Sequence, residues 1–251
     1  MKISIITVTY NSAATIRDTL NSIEHQTHVD REHIVIDGVS SDGTLDILSE
    51  CGMPDDKVVS EPDSGIYDAM NKGIKLASGD IVGILNSDDF FCNEYVLEKI
   101  NQVFESFPID ALFADLVYVR PENLDKIVRY YSGAGFTLKK FAYGWMPPHP
   151  TFFVKRECYE KYGLFKTDYK IAADFELLVR FLMKHRTSYH YLPEVIIKMR
   201  TGGVSTKNLK SNLILNREIL RACTENGVST NMLKIYSKYF CKSLQLFRRP
   251  A

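Results

Sequence analysis

Two adjacent carboxylates, Asp88 and Asp89, close the run Ile81-Val-Gly-Ile-Leu-Asn-Ser and are followed at once by Phe90 and Phe91. Side-by-side carboxylates repel, so they are stable in open water or around a cation. In an arbitrary loop such a pair is a solvated turn. Here it follows an apolar run that reads as a strand buried on both faces, and open α/β sheets bind ligands beyond the carboxyl ends of such strands. Another acid, Asp37, ends Ile34-Val-Ile, and Thr7 and Thr9 lie at the end of the run that starts at Ile3. Asp174 stands ahead of Leu177 and Leu178 at the start of an apolar helix. That position suits a helix cap or an acid favoured by the helix dipole. Arg200 precedes Gly202-Gly203, in a loop over 199–206 with the freedom to close over phosphates.

These residues need elements to hold them. Ile3–Thr9 is rich in β-branched residues and reads as a first, central strand. Tyr10-Asn11-Ser12 stops it, and Ser12 or Asn11 is suited to cap a helix over Ala13–Gln26. Ile34–Asp37 is the second strand, Gly38–Thr44 a turn with Ser41 as a helix cap, Thr44–Glu50 a helix and Lys57–Ser60 a third strand. Glu61–Gly65 breaks the chain before a helix over Ile66–Ala77, in which Ile66, Met70, Ile74 and Ala77 keep the helical period. Tyr67 and Asn71 share another face of it. Asn is a mediocre helix former, so Asn71 is either solvent-facing or a contact to a bound cofactor. Strand and helix alternating at short spacing means a parallel sheet with helices on its faces.

No G-x-G-x-x-G follows a strand, and no Gly-Lys-Ser/Thr is present. If the edge formed by Thr9, Asp37, Asp88 and Asp89 binds a nucleotide, carboxylates hold base or ribose by hydrogen bonds. They reach a pyrophosphate only through a bridging divalent cation.

Ile3–Asn11, the segment Val35–Thr44, the segment Glu61–Gly73 and Leu85–Asp89, in this order, resemble glycosyltransferase family 2. The resemblance implies an α/β, GT-A-like, mostly parallel sheet with helices on both faces, followed by a C-terminal helical extension. It further implies a nucleotide-sugar donor (a UDP-sugar by family habit), a Mn2+ or Mg2+ ion at Asp88 and Asp89, and inversion at the anomeric carbon. Thr9 and Asp37 would meet the nucleoside, Asp88 and Asp89 would share the ribose and metal contacts, and Asp174 would be the catalytic base. Asn71 and Arg200 are further candidates for the donor, Arg200 at its pyrophosphate. The family often carries a second Asp where Gly38 stands, and Asn86 takes the first place of its Asp-x-Asp element. Ala173 leaves Asp174 to serve alone, with Glu176 on the helix surface or behind it.

Beyond residue 110, 110–119 and 126–131 read as a hairpin, 151–155 and 188–198 as strands, and 172–183 as a helix with Leu177, Leu178, Phe181 and Leu182 on its core face. Trp145 and His149 sit in a proline-rich loop. Trp145 is a core anchor or a wall on which a sugar stacks; His149 is a structural residue or a contact to phosphate or acceptor. Residues 1–110 would form the donor half, 111–206 the acceptor-facing half and 207–251 a basic amphipathic tail.

The 251 residues are 45% apolar and 25% charged, which describes an ordinary globular chain. Five scattered cysteines without a C-x-x-C pair argue against a disulfide framework or zinc site, and no apolar run reaches the roughly 18 residues of a membrane span. Net charge is 0, yet 207–251 hold nine Lys/Arg against two Glu. In the tail, Leu233, Tyr236, Phe240, Leu244 and Phe247 face away from Lys234, Lys238 and Lys242. Over 231–249 that pattern suits a membrane surface as well as packing on the domain itself. The expected location is cytoplasmic, peripheral on the inner membrane face if that tail attaches, with a glycan or lipid-linked acceptor of bacterial surface polysaccharide synthesis. Nucleic-acid binding is disfavoured by the acidic body. The alternatives are a nucleotidyltransferase and a membrane-associated nucleotide-sugar-binding protein without turnover.

Overall fold

The computed structural model describes residues 1–51, 56–202 and 209–237. β1 (Ile3–Thr9) is buried along its whole length. α1 (Ile16–Glu24) and β2 (Arg31–Asp37) follow, then α2 (Thr44–Cys51), β3 (Lys57–Ser60), α3 (Ile66–Leu76) and β4 (Ile81–Ile84). β5 (Asp89–Phe91) and α4 (Val96–Ser106) lead to the hairpin β6 (Ala111–Arg120) and β7 (Asn123–Tyr131). β8 (Phe153–Lys155), α5 (Arg156–Tyr162), α6 (Ala173–Leu178), β9 (Tyr189–Arg200) and α7 (Leu209–Glu225) complete the described elements. α6 runs on into a wider π-type turn over Val179–Lys184.

The strands form one sheet in the order β3-β2-β1-β4-β8-β6-β9-β5, with β7 paired to β6. β3, β2, β1 and β4 are mutually parallel, as is the β6–β9 pair, whereas β8, β5 and β7 run antiparallel to their neighbours. The period of two along a strand divides the core. Ile6 and Val8 of β1, with Ile34 and Ile36 of β2, pack on the face that takes Met70 and Ile74 of α3, Phe175 and Leu178 of α6, and Ile219 and Cys223 of α7. Ile3 and Ile5 belong to the opposite face, with Leu97 and Ile100 of α4. Gly73 lets α3 approach β1, since a Cβ there would meet Ile6 Cγ2 at 2.4 Å.

Several helix starts differ from the sequence reading. α1 begins at Ile16, and Ser12 accepts its first N–H groups through the backbone carbonyl. The Ser12 hydroxyl instead pairs with Ser87 Oγ at 2.8 Å. Asp42, not Ser41, caps α2, accepting Thr44 N at 3.1 Å. α5 was not foreseen. The tail helix α7 packs into the main core through Ile219, Ala222 and Cys223. In the turn over 232–237, Ile235 is buried while Leu233 is 83% exposed and Tyr236 37%. Phe240, Leu244, Phe247 and most of the expected 231–249 stripe lie outside the described residues, as do residues 203–208 of the expected flap. Among the described residues, no helix is long and apolar enough to cross a membrane.

At the opposite end from the carboxylate edge, Glu32 ties β1, β2 and the start of β4 together. Its side chain is only 6% exposed and pairs with Lys2 and Lys57 at 3.1 and 3.0 Å. It also accepts hydrogen bonds from Ser4 Oγ (2.6 Å), Ser78 N (2.6 Å) and Gly79 N (3.1 Å). Burial pushes this carboxyl up, but the bonds from Ser4, Ser78 and Lys57 outweigh it and hold it well below the usual range. A depressed folded value contributes stability that is present above the unfolded value of about 4.3 and lost as pH falls toward the folded one. Glu32→Gln is therefore expected to cost about 2–4 kcal/mol at neutral pH, because the donors converging on one carboxylate lose their anion. Thermal melts from neutral pH down to about pH 3 should show the variant closing on wild type as acidity rises. Parallel curves would contradict this.

Candidate functional site

The parallel register puts Thr9 beside Asp37, and Gly38 N donates to Thr9 O at 2.9 Å. Asp37 is fully buried, and its carboxylate accepts from Ser40 N (3.0 Å), Ser40 Oγ (2.5 Å) and Ser60 Oγ (2.6 Å). Asn11 N donates to the same Ser40 Oγ at 2.8 Å. The loops after β1 and β2 are thereby latched together. Their backbone is strained where they meet: Val39, a β-branched residue, has φ +64°. Gly38 leaves room for an acid from elsewhere, because a Cβ there would stand 2.7 Å from Asp63 Oδ2 and 3.3 Å from the exposed Tyr10 ring. Asp63, in the loop before α3, thus brings its carboxylate to the place where a side chain at position 38 would begin.

The Ser12–Ser87 contact draws the loop after β4 against the end of β1. The two acids in that loop are not alike. Asp88 is partly exposed, whereas Asp89 is fully buried where β5 pairs with Met199 of β9. Burial, and then the charge of Asp88, push the Asp89 carboxyl well up. Asp89 Oδ1, Asn86 Oδ1 and Thr9 Oγ1 are buried without a hydrogen-bond partner. Oxygens left over at adjoining strand ends suit a cation and the hydroxyls of a bound ligand. Among the described residues no group of three or more His, Cys, Asp or Glu is placed to hold a metal. That still fits Mg2+ or Mn2+ of the kind held by one or two carboxylates plus substrate phosphates.

Arg200 and Asn71 have partners of their own. Arg200 ends β9 rather than lying in a loop. Its guanidinium donates to Asp88 O at 2.6 Å, pairs with Asp18 and lies 5.1 Å from the Phe90 ring centre. It pins the turn that carries the two acids. Asn71 is buried and makes a two-bond staple with Phe165, donating to its carbonyl and accepting from its N–H, both at 2.9 Å.

Asp174 lies in the first turn of α6, with its side chain 17% exposed. It does not cap the helix; Ala172 holds that position. Oδ1 accepts from Phe175 N at 2.7 Å, and Oδ2 lies 3.2 Å from Nδ1 of His149. The approach to α6 is clamped from two sides. Tyr67 of α3 donates to Ile171 O at 2.6 Å, and Glu218 of α7 accepts from Lys170, Ile171 and Ala172 N at 2.7, 2.9 and 2.9 Å. Glu176 is not a surface acid. It is fully buried, paired with Arg180 at 2.9 Å and Lys166 at 3.2 Å. Trp145 is half-buried, with Lys140 Nζ 5.5 Å from its ring centre.

The β4–β8 register brings the two groups of acids to one end of the sheet. Ile81, Val82 and Gly83 face Lys155, Val154 and Phe153. Going backward from Phe153 to His149 therefore follows the course from Gly83 toward Asn86–Asp89. Tyr131 feels the same neighbourhood: burial, then Tyr118 and, more weakly, Asp174 push its hydroxyl up. Sequence reasoning missed the bond from Tyr67 to Ile171, the reach of Glu218 and the His149–Asp174 contact. The four-residue spacing of Tyr67 and Asn71 marked the right helix face, since both hold the segment that leads into Asp174.

A mixed α/β sheet with carboxylates at the ends of its parallel strands is the architecture of a GT-A-like glycosyltransferase. Residues 4–163 match the family model for glycosyl transferase family 2, and the chain belongs to that family of enzymes. It is 28% identical over 223 residues to the PGL/p-HBAD biosynthesis glycosyltransferase of Mycobacterium bovis, spanning 87% of this chain and 82% of that one. TarS of S. aureus in complex with UDP-GlcNAc superposes with a TM-score of 0.68 at 20% identity, over 91% of this chain and 68% of that one. Against a longer TarS chain the TM-score is 0.70, and this chain spans only 41% of it. The mannosyltransferase PcManGT of Pyrobaculum calidifontis, in complex with GDP-Man and Mn2+, superposes with a TM-score of 0.63 at 17% identity, over 98% of this chain and 81% of that one. At these identities the structural likeness is one of fold.

Proposed function

We propose that this enzyme moves a sugar, with inversion, from a nucleotide-sugar to a hydroxyl of a cell-surface glycan or lipid-linked acceptor, and that it does so with Mn2+ or Mg2+. The observation that carries the reading is the set of unpartnered buried oxygens on Thr9, Asn86 and Asp89 beside the half-open carboxylate of Asp88. Complexes of fold neighbours with UDP-GlcNAc and with GDP-Man and Mn2+ support a nucleotide-sugar donor. Asp88 is the metal ligand open to the cleft, with Asp89 behind it. Thr9 and Asp37 border the nucleoside, and Asp63 offers a further acceptor oxygen over Gly38. Asn71 and Arg200 act on the donor indirectly, through the segment before α6 and the turn at Asp88. The bound ion would supply Lewis-acid stabilisation of the departing diphosphate.

Asp174 takes the proton from the acceptor hydroxyl as its oxygen attacks the anomeric carbon. The acceptor O–H and the sugar–phosphate bond break while the new glycosidic C–O bond forms, and the nucleoside diphosphate leaves with the electron pair. The basic tail, with Leu233 and Tyr236 exposed, would rest on an anionic membrane surface near a lipid-linked acceptor.

A thermal-shift screen of UDP, GDP, CDP and ADP with Mn2+ or EDTA tests the donor reading. Stabilisation by UDP only with the metal is expected, since ligand at about 100 Kd adds roughly 2.7 kcal/mol to the folded state. No shift with any of the four would overturn it.

A further inference from the structure

The geometry points to His149 as the positioning residue for Asp174, an inference that rests on the assignment of Asp174 as the base. The two side chains arrive on separately anchored elements. His149 opens a short 3-10 turn between the buried prolines Pro148 and Pro150. Thr151 fixes that turn to β6, its hydroxyl accepting from Ala114 N and donating toward Ala114 O or Pro148 O, at 2.8–2.9 Å. Asp174 is held from the other side by the Tyr67 and Glu218 clamps on residues 170–172. Their meeting at 3.2 Å, across 25 residues of chain, is a product of the tertiary fold.

The contact completes the orientation of the carboxylate. Phe175 N donates to Oδ1, and His149 Nδ1 stands 3.2 Å from Oδ2. A donor to Oδ1 and an imidazole nitrogen set against Oδ2 restrict rotation about the Cβ–Cγ bond and leave lone pairs free for a substrate proton. In the proposed role Nδ1 donates to Oδ2, which puts the imidazole proton on Nδ1 and turns the Nε2 lone pair outward. The ring remains 37% exposed and the Asp174 side chain 17%, so solvent reaches the pair. The groups around it are Tyr67 and Tyr131, whose hydroxyls sense the charge of Asp174.

The test compares His149→Ala and His149→Asn in the full chain, using Mn2+-dependent hydrolysis of UDP-GlcNAc read as UDP release. Asn places an N–H donor near the position of Nδ1 but carries no basic nitrogen. The Ala variant is expected to lose about 10–100-fold in kcat at little-changed KM, the scale of a misoriented reacting group, and Asn should recover most of that loss. Equal losses in both variants, or a full-rate Ala variant, would overturn the positioning role. A readout free of substrate keeps the inference testable if hydrolysis is too slow to follow. Imidazole 15N shifts should show Nδ1–H at His149 in wild type and a changed tautomer in Asp174→Asn. An Nε2–H wild type, or a tautomer indifferent to Asp174→Asn, would refute it. Failure of the base assignment is separable, because Asp174→Asn would then keep its turnover while the His149 tautomer still responded.

Discussion

Asp174→Asn should cut turnover by about 10²–10⁴-fold, the range that general-base catalysis supplies, and leave nucleotide affinity within about two-fold of wild type. The substitution keeps the shape of the side chain and removes its basicity. The fold has little reason to respond. α6 is not capped by Asp174, and the segment leading into it is held by Glu218 and Tyr67. Initial rates of UDP release from a UDP-sugar, set beside a UDP binding titration, separate the two effects. A variant that loses binding and rate together would make Asp174 a structural acid, and one that keeps its rate would move the base elsewhere.

Much of the frame was legible because its signals are local. β1, β2 and β3 read as short β-branched runs, and the observed bounds of β1 and β3 are those the sequence predicts. The β6–β7 hairpin announced itself by two strand-like runs around a Pro-Glu-Asn turn. The acids at the strand ends were legible for the same reason, since an abrupt change from Val and Ile to Asp is visible in one dimension.

What stayed hidden depends on neighbours distant in sequence. The unequal fates of Asp88 and Asp89 follow from β5 pairing with β9 across 110 residues, Asp89 against Met199. Three residues are too short to announce a strand, so the pair reads as one turn. Arg200 looked like part of a loop because Gly202 and Gly203 follow it, yet β9 extends to Arg200 through its register with Val119. Asn71 violates helix propensity for a packing reason, its staple to Phe165. The tail likewise reads as an amphipathic appendage, while Glu218 reaches back to the approach of α6. Lysines on one face of a helix reveal its solvent side and leave open what covers the other.

Titration of UDP into wild type and Asp88→Ala, each in Mn2+ and in EDTA, tests the metal-and-donor account most directly. Asp88 is the better probe of the two acids. Asp88 is partly exposed, whereas Asp89 lies in the interior and its removal would disturb the fold. Wild type is expected to bind at least about ten-fold more tightly with Mn2+ than in EDTA, a coupling of roughly 1.4 kcal/mol, and Asp88→Ala to bind equally weakly in both. If Asp88→Ala binds UDP as tightly as wild type in Mn2+, or if wild type is indifferent to EDTA, the carboxylates at the end of β4 do not hold a metal for the donor.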